Sequence, residues 1–181
     1  MPNILLVSAT KLEHHDTFLY GHPIHIIGIG KVESALNLYK LIQKYKPEHV
    51  VNFGSCGNLK DHKVGEVLTI GEIYDDFHGC IVPEHRPIKV SDTTYKLFTT
   101  DTFYDVNNDY SLYYSEMVKK CDLVDMEGYS IAKVCKDENI SVSLFKWVSD
   151  DGESDKWQEN AASGYSKFKK VFKKWLEQQK S

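Results

Sequence analysis

Long hydrophobic runs are missing from this sequence. No stretch approaches the roughly 20 apolar residues that cross a bilayer, and Met1-Pro2-Asn3 opens with neither the basic nor the apolar part of a signal peptide. Membrane and secreted readings are set aside, and a cytoplasmic chain is expected. Cysteine is sparse as well: Cys56, Cys80, Cys121 and Cys135 stand far apart with no C-x-x-C pair, which argues against structural zinc and a disulfide framework. They read as small buried residues. His14-His15 and the His22 and His25 pair match no ligand spacing, so no metal is expected. Basic surplus is lacking too, since a net charge of -4 offers a nucleic-acid backbone no electrostatic partner. What remains is a globular composition, 41% hydrophobic and 27% charged, without repeats or low-complexity linkers. The 181 residues suit a single domain, 1–181.

The informative stretch is Cys121 to Lys136, CDLVDMEGYSIAKVCK. A short apolar run (Leu123, Val124) passes into an amphipathic one with Ile131, Ala132, Val134 and Cys135 at helical spacing, so a strand is predicted to run straight into a helix. Asp125 and Glu127 then stand at a strand's carboxyl end and a helix's N-terminus, where α/β sheets place ligands. Taken alone, the same pair reads first as a cap and a first-turn acid.

Apolar strands are predicted at 3–8, 24–29 and 49–53, with a further strand over 64–74 bent at Gly71, another at 95–100 and an alternating one at 141–148. Helices are predicted from Val32 to Tyr45, over 110–120, after Glu127, and as one long amphipathic segment from Lys156 to the end. Asp75 to Thr94 reads as a loop or irregular edge. This alternation predicts a three-layer α/β/α fold around a mixed, largely parallel sheet.

Three acids, Glu13, Glu127 and Asp150, each follow a predicted strand, and Phe103 follows another. The turn predicted at Gly54-Ser55-Cys56-Gly57-Asn58 supplies small residues with free backbone donors. A pocket with acids, a stacking ring and donors is the expected outcome. Gly28-Ile29-Gly30-Lys31 is neither a Rossmann fingerprint, because Glu33 replaces the third glycine, nor a P-loop. A tight turn with close backbone approach is expected there.

GIGKVESA, VNFGSCGNL, TTDTFY, VDMEGYSIAKVC and VSDDG, in that order, resemble the nucleoside phosphorylase and nucleosidase superfamily, most closely its 5'-methylthioadenosine/S-adenosylhomocysteine nucleosidases. The resemblance implies hydrolysis of a purine nucleoside without a cofactor. It assigns Asp150, next to Ser149, as the acid that protonates N7 of the base, Glu127 as the carboxylate on the ribose hydroxyls, and Glu13 as the acid that orients and deprotonates water. It places Met126 against the sugar, Phe103 against the base, Ser55 and Gly57 in the turn beside the sugar, and Lys146 near the water. A homodimer is implied, and Tyr113, Tyr114 and Trp157 are the aromatics expected at its interface.

Phosphorolytic relatives carry an arginine three positions before the serine of the GS turn, where this chain has Asn52, and Arg86 is its only arginine. Hydrolysis is therefore expected; a phosphorylase and a non-catalytic nucleoside-binding protein are the alternatives. Gly128 stands where alanine is common in the family and Lys146 where arginine is. The chain is also shorter between its first two strands and over Asp75 to Tyr95, so substrate preference and water placement are expected to differ.

Overall fold

The computed structural model describes residues 2–76, 87–108 and 111–179. In chain order the elements are β1 (Ile4–Ser8), a 3-10 turn (Lys11–Glu13), β2 (Phe18–Leu19), β3 (His22–Ile26), α1 (Lys31–Tyr45), β4 (His49–Asn58), β5 (Val67–Thr69), β6 (Glu72–Asp75) and β7 (Ile88–Lys89). They continue with β8 (Lys96–Thr99), α2 (Leu112–Lys120), β9 (Leu123–Asp125), α3 (Gly128–Asp137), β10 (Ser141–Asp150), α4 (Ser154–Asn160) and α5 (Tyr165–Gln178).

Two parallel groups of strands make one mixed sheet. In the first, β3, β1, β4 and β10 lie side by side and parallel, with β2 and β5 antiparallel at its borders. In the second, β9, β8 and β6 are parallel and β7 is an antiparallel edge. The groups join where the last two residues of β4, Gly57 and Asn58, pair antiparallel with Val124 and Leu123 of β9.

Strand alternation sends neighbouring residues to opposite layers. Ile4 and Leu6 of β1, Val51 and Phe53 of β4, and Phe145 and Trp147 of β10 pack under Phe168, Phe172 and Leu176 of α5. Leu5, Val7 and Val50 face the other way, against Leu38 and Ile42 of α1 and Ile131 and Cys135 of α3. Helices thus cover both faces, giving the expected three layers. Each fully buried side chain of this size contributes about 1.5–3 kcal/mol of transfer free energy.

Several predicted boundaries move. The 54–58 segment is not a turn: β4 runs unbroken to Asn58 because β10 pairs with it as far as Gly57. The 64–74 strand breaks into β5 and β6 around Gly71, where a Cβ would lie 1.8 Å from the Thr93 carbonyl oxygen. The long C-terminal helix is two helices, because Gly164 at their junction sits against Trp147, 2.2 Å from a Cβ position to the indole Cγ. The segment after His14 contains β2, which pairs back on β3. Of the region read as an irregular edge, Asp75 ends β6 and Ile88–Lys89 form β7, while His78, Cys80, Pro83, His85 and Arg86 lie outside the described residues.

Candidate active site

Glu13 reaches the end of β1 through the 3-10 turn, whose cap is Thr10 accepting from the Leu12 N–H. β1 pairs with β4 only as far as Val7 opposite Asn52. Beyond that point this edge of β4 is open, and Glu13 fills it. Its Oε1 accepts from the Ser55 backbone N–H at 2.7 Å and the Ser55 hydroxyl at 2.8 Å, and its Oε2 accepts from the Ser8 hydroxyl at 2.6 Å. Glu13 is 3% exposed, so these three donors are what make its burial tolerable. The expected free donor at Ser55 is therefore already engaged. Gly54 is required beside it, since a Cβ there would stand 2.7 Å from Oε1.

Glu127 arrives by a route the strand-end argument did not foresee. β9 is antiparallel to β4, so a common edge is not what brings Glu127 in. Instead the chain leaves β9 beside Gly57 and runs back along β4, which carries Met126 and Glu127 toward Ser55. Glu127 Oε1 accepts the Gly30 backbone N–H at 2.9 Å, and Gly30 holds φ +88°, a left-handed conformation suited to glycine. Burial and then the charge of Asp125 push the Glu127 carboxyl up to about 8, against the opposing pull of Lys146 and the Gly30 N–H.

Asp150 owes its place to a bulge. The β10–β4 register slips between Val148 and Asp150, which sets Asp150 opposite Gly57 and takes Ser149 out of the ladder. Asp150 Oδ1 accepts the Gly152 N–H at 3.0 Å, and Oδ2 lies 2.8 Å from the Ser149 hydroxyl, which also lies 3.0 Å from the Cys56 carbonyl. Burial raises the Asp150 pKa, against the hydrogen bonds from Ser149 and Gly152. The group is biased toward holding a proton.

These acids border one cavity of about 180 Å³, whose wall includes Glu13, Ser55, Gly57, Phe103, Met126, Glu127, Asp150 and Trp157. Two residues expected at a ligand stand behind it: Ser149 holds Asp150, and Lys146 binds Asp125. Phe103 sits on a loop fastened at both ends. Lys31 pairs with Asp75 at 2.7 Å, with Asp76, and with Asp101 at 3.2 Å, and the Val106 N–H donates to the Gly152 carbonyl at 3.2 Å. Among the described residues no lysine or arginine lines the cavity, and no cluster of His, Cys, Asp and Glu could hold a metal.

Sequence reasoning missed Trp157. It is half-buried in the cavity wall, and its indole N–H donates to the Ser55 hydroxyl oxygen at 3.0 Å. Tyr114 is buried, and the Tyr113 hydroxyl donates to the Asp75 carbonyl at 2.9 Å. Of the three aromatics expected at an interface, Tyr114 is buried and Tyr113 and Trp157 are half-buried.

The sequence model of the phosphorylase superfamily matches residues 10–97. The chain is 29% identical over 185 residues to the 5'-methylthioadenosine/S-adenosylhomocysteine nucleosidase of Buchnera aphidicola subsp. Baizongia pistaciae, covering 84% of this chain and 71% of that one. Its fold is similar to the solved 5'-methylthioadenosine/S-adenosyl homocysteine nucleosidase of Helicobacter pylori, with TM-score 0.79 and 19% identity over 97% of each chain. It is also similar to the futalosine hydrolase of Helicobacter pylori, with TM-score 0.78 and 18% identity over 97% of each. No helix of the described residues is long and apolar enough to cross a membrane.

Proposed function

We propose that the chain hydrolyses the N-glycosidic bond of a purine nucleoside of the 5'-methylthioadenosine or S-adenosylhomocysteine type. The observation that carries this reading is that Glu13, Glu127 and Asp150 border one cavity together with an aromatic ring and, among the described residues, without a lysine or arginine. Breaking the bond develops positive charge on the sugar, which carboxylates stabilise, and leaves a base that departs more easily once protonated. Asp150, kept inclined to hold its proton, delivers it to N7. Glu127 holds the ribose hydroxyls, Met126 packs on the sugar, and Phe103 stacks on the base. Gly57 leaves room next to Asp150, while Ser55 and Glu13 take the water side. Ser149 and Lys146 act from behind, on Asp150 and Asp125.

Water is favoured over phosphate as the nucleophile. A phosphate dianion needs cations with paired donors, whereas this wall carries Glu13, Asp125, Glu127 and Asp150. A protein that only bound nucleosides would have no use for a proton donor beside the base. Free purine base released from a panel of purine nucleosides is the test: release from a 5'-thio-substituted adenosine supports the reading, and release from none removes it.

A homodimer acting in the cytoplasm belongs to the same reading. Ile29, Val32, Leu36 and Tyr39 form an exposed apolar row on and just before α1, from 48% to 73% exposed, and Ile29 is also part of the cavity wall. A second copy on this row would close on the cavity mouth. The described cysteines are free and buried, which suits a reducing compartment. Light scattering of the purified chain at twice the mass of one copy supports the dimer; one copy's mass contradicts it.

A further inference from the structure

We propose that Trp157 is a positioning residue for the attacking water, acting through Ser55; the inference rests on the hydrolase reading above. An indole N–H can only donate, and a serine hydroxyl has one hydrogen and two acceptor sites. The Ser55 hydrogen goes to Glu13 Oε1 at 2.8 Å, and Trp157 Nε1 occupies one acceptor site at 3.0 Å. The rotor has no alternative setting that keeps both bonds. One acceptor site on Ser55 Oγ is left.

Glu13 is in the same condition. Two of its roughly four acceptor sites take the Ser55 N–H and hydroxyl on Oε1, and a third takes the Ser8 hydroxyl on Oε2. One acceptor site therefore remains on each of two neighbouring groups, and neither group has a hydrogen to give. A water bridging them must donate both of its hydrogens, which turns its lone pairs outward to the sugar. The step then balances: the water oxygen bonds to C1', the C–N electrons leave with the base, N7 takes the Asp150 proton, and Glu13 takes a water proton. Without the Trp157 N–H, the Ser55 hydroxyl is free to rotate and donate to the water, which misdirects the lone pair.

Trp157 reaches Ser55 from α4, the helix that follows β10, and the two residues are 102 positions apart in the chain. A ring that served only as a wall would not need its one polar atom aimed at Ser55.

Trp157→Phe keeps the ring and removes the donor. Loss of one neutral hydrogen bond predicts a kcat about three- to tenfold lower, with KM changed less than about twofold because the bond bears on the water and not on the nucleoside. In a Ser55→Ala background the same substitution should cost far less, since the residue it acts through is gone. An indole N–H resonance that shifts in Ser55→Ala reports the bond itself, independently of turnover. Trp157→Phe with the wild-type kcat, a loss that adds fully to that of Ser55→Ala, or an unshifted indole resonance overturns the inference and leaves the hydrolase reading standing. A wild-type chain that releases no base from any nucleoside removes both.

Discussion

Lys146 Nζ lies 2.8 Å from Asp125 Oδ2, and the two side chains are 2% and 1% exposed. Asp125 is otherwise held by the Thr99 hydroxyl at 2.7 Å and the Gly128 N–H at 2.9 Å. Burial works against the Lys146 charge, but Asp125, Glu127 and Glu13 around it prevail and hold the ammonium above the ordinary lysine range. This pair is the counter-charge beneath the acids of the cavity. Lys146→Met should cost about 3–5 kcal/mol, because Asp125 is left buried and unpaired. The double variant Lys146→Met with Asp125→Asn should recover much of that loss. Urea unfolding midpoints with unchanged slopes check both.

Glu127 links the cavity to stability. Its folded pKa of about 8 lies above the ordinary value of 4.5, so between those two values the folded chain holds a proton that the unfolded chain releases. Stability then falls as pH rises through that window, by up to about 1.4 kcal/mol per pH unit for one such group. Glu127→Gln removes this contribution. Its stability should decline less than the wild type's between about pH 5 and pH 8, and parallel curves in that range would contradict the burial argument. Asp150, raised in the same direction, remains in both proteins and does not affect the comparison.

Gly54 and Glu13 are in contact where only a hydrogen fits. An added Cβ would lie 2.7 Å from Oε1 and 3.0 Å from Cδ. The carboxylate end is the part that can move, so Gly54→Ala should fold but push Glu13 away from Ser55. A displacement on the order of 1 Å predicts kcat down by roughly a hundredfold, with the melting temperature changed by only a few degrees. Normal turnover in this variant would mean that Glu13 has no part in the reaction.

The strands were legible because β1 and β4 are buried on both faces and announce it as apolar runs, while β10 shows itself by alternation. The three acids could be singled out because each follows a predicted strand, and the motif order pointed to the superfamily whose model matches residues 10–97. What escaped the sequence was set by contacts distant in the chain. Gly164 caps the start of α5, a few residues after α4 ends, where Trp147 leaves no room for a side chain. The GSCG segment stays in a strand only because β10 pairs with it, whereas its composition is that of a turn. Trp157 carries no local mark of its partner, and an aromatic near a helix's polar face reads as surface until Ser55 is found beneath it. Lys146 was expected at the ligand from its position in the motif, but the ion pair that holds it behind the wall depends on Asp125 of another strand.

Asp150→Asn separates binding from chemistry. The amide keeps the shape and loses the proton to be given, so turnover should fall about 10²–10⁴-fold while calorimetry still records nucleoside binding. Loss of binding together with turnover would place Asp150 in recognition instead.

The account's central claim is that water, held by Glu13, attacks the sugar while Asp150 protonates the base. The most direct measurement is product analysis with 5'-methylthioadenosine as substrate, in phosphate-free buffer and with phosphate added. Free adenine and the free thio-sugar at equal rates in both conditions are predicted. A sugar 1-phosphate, or base release that requires phosphate, would contradict the claim.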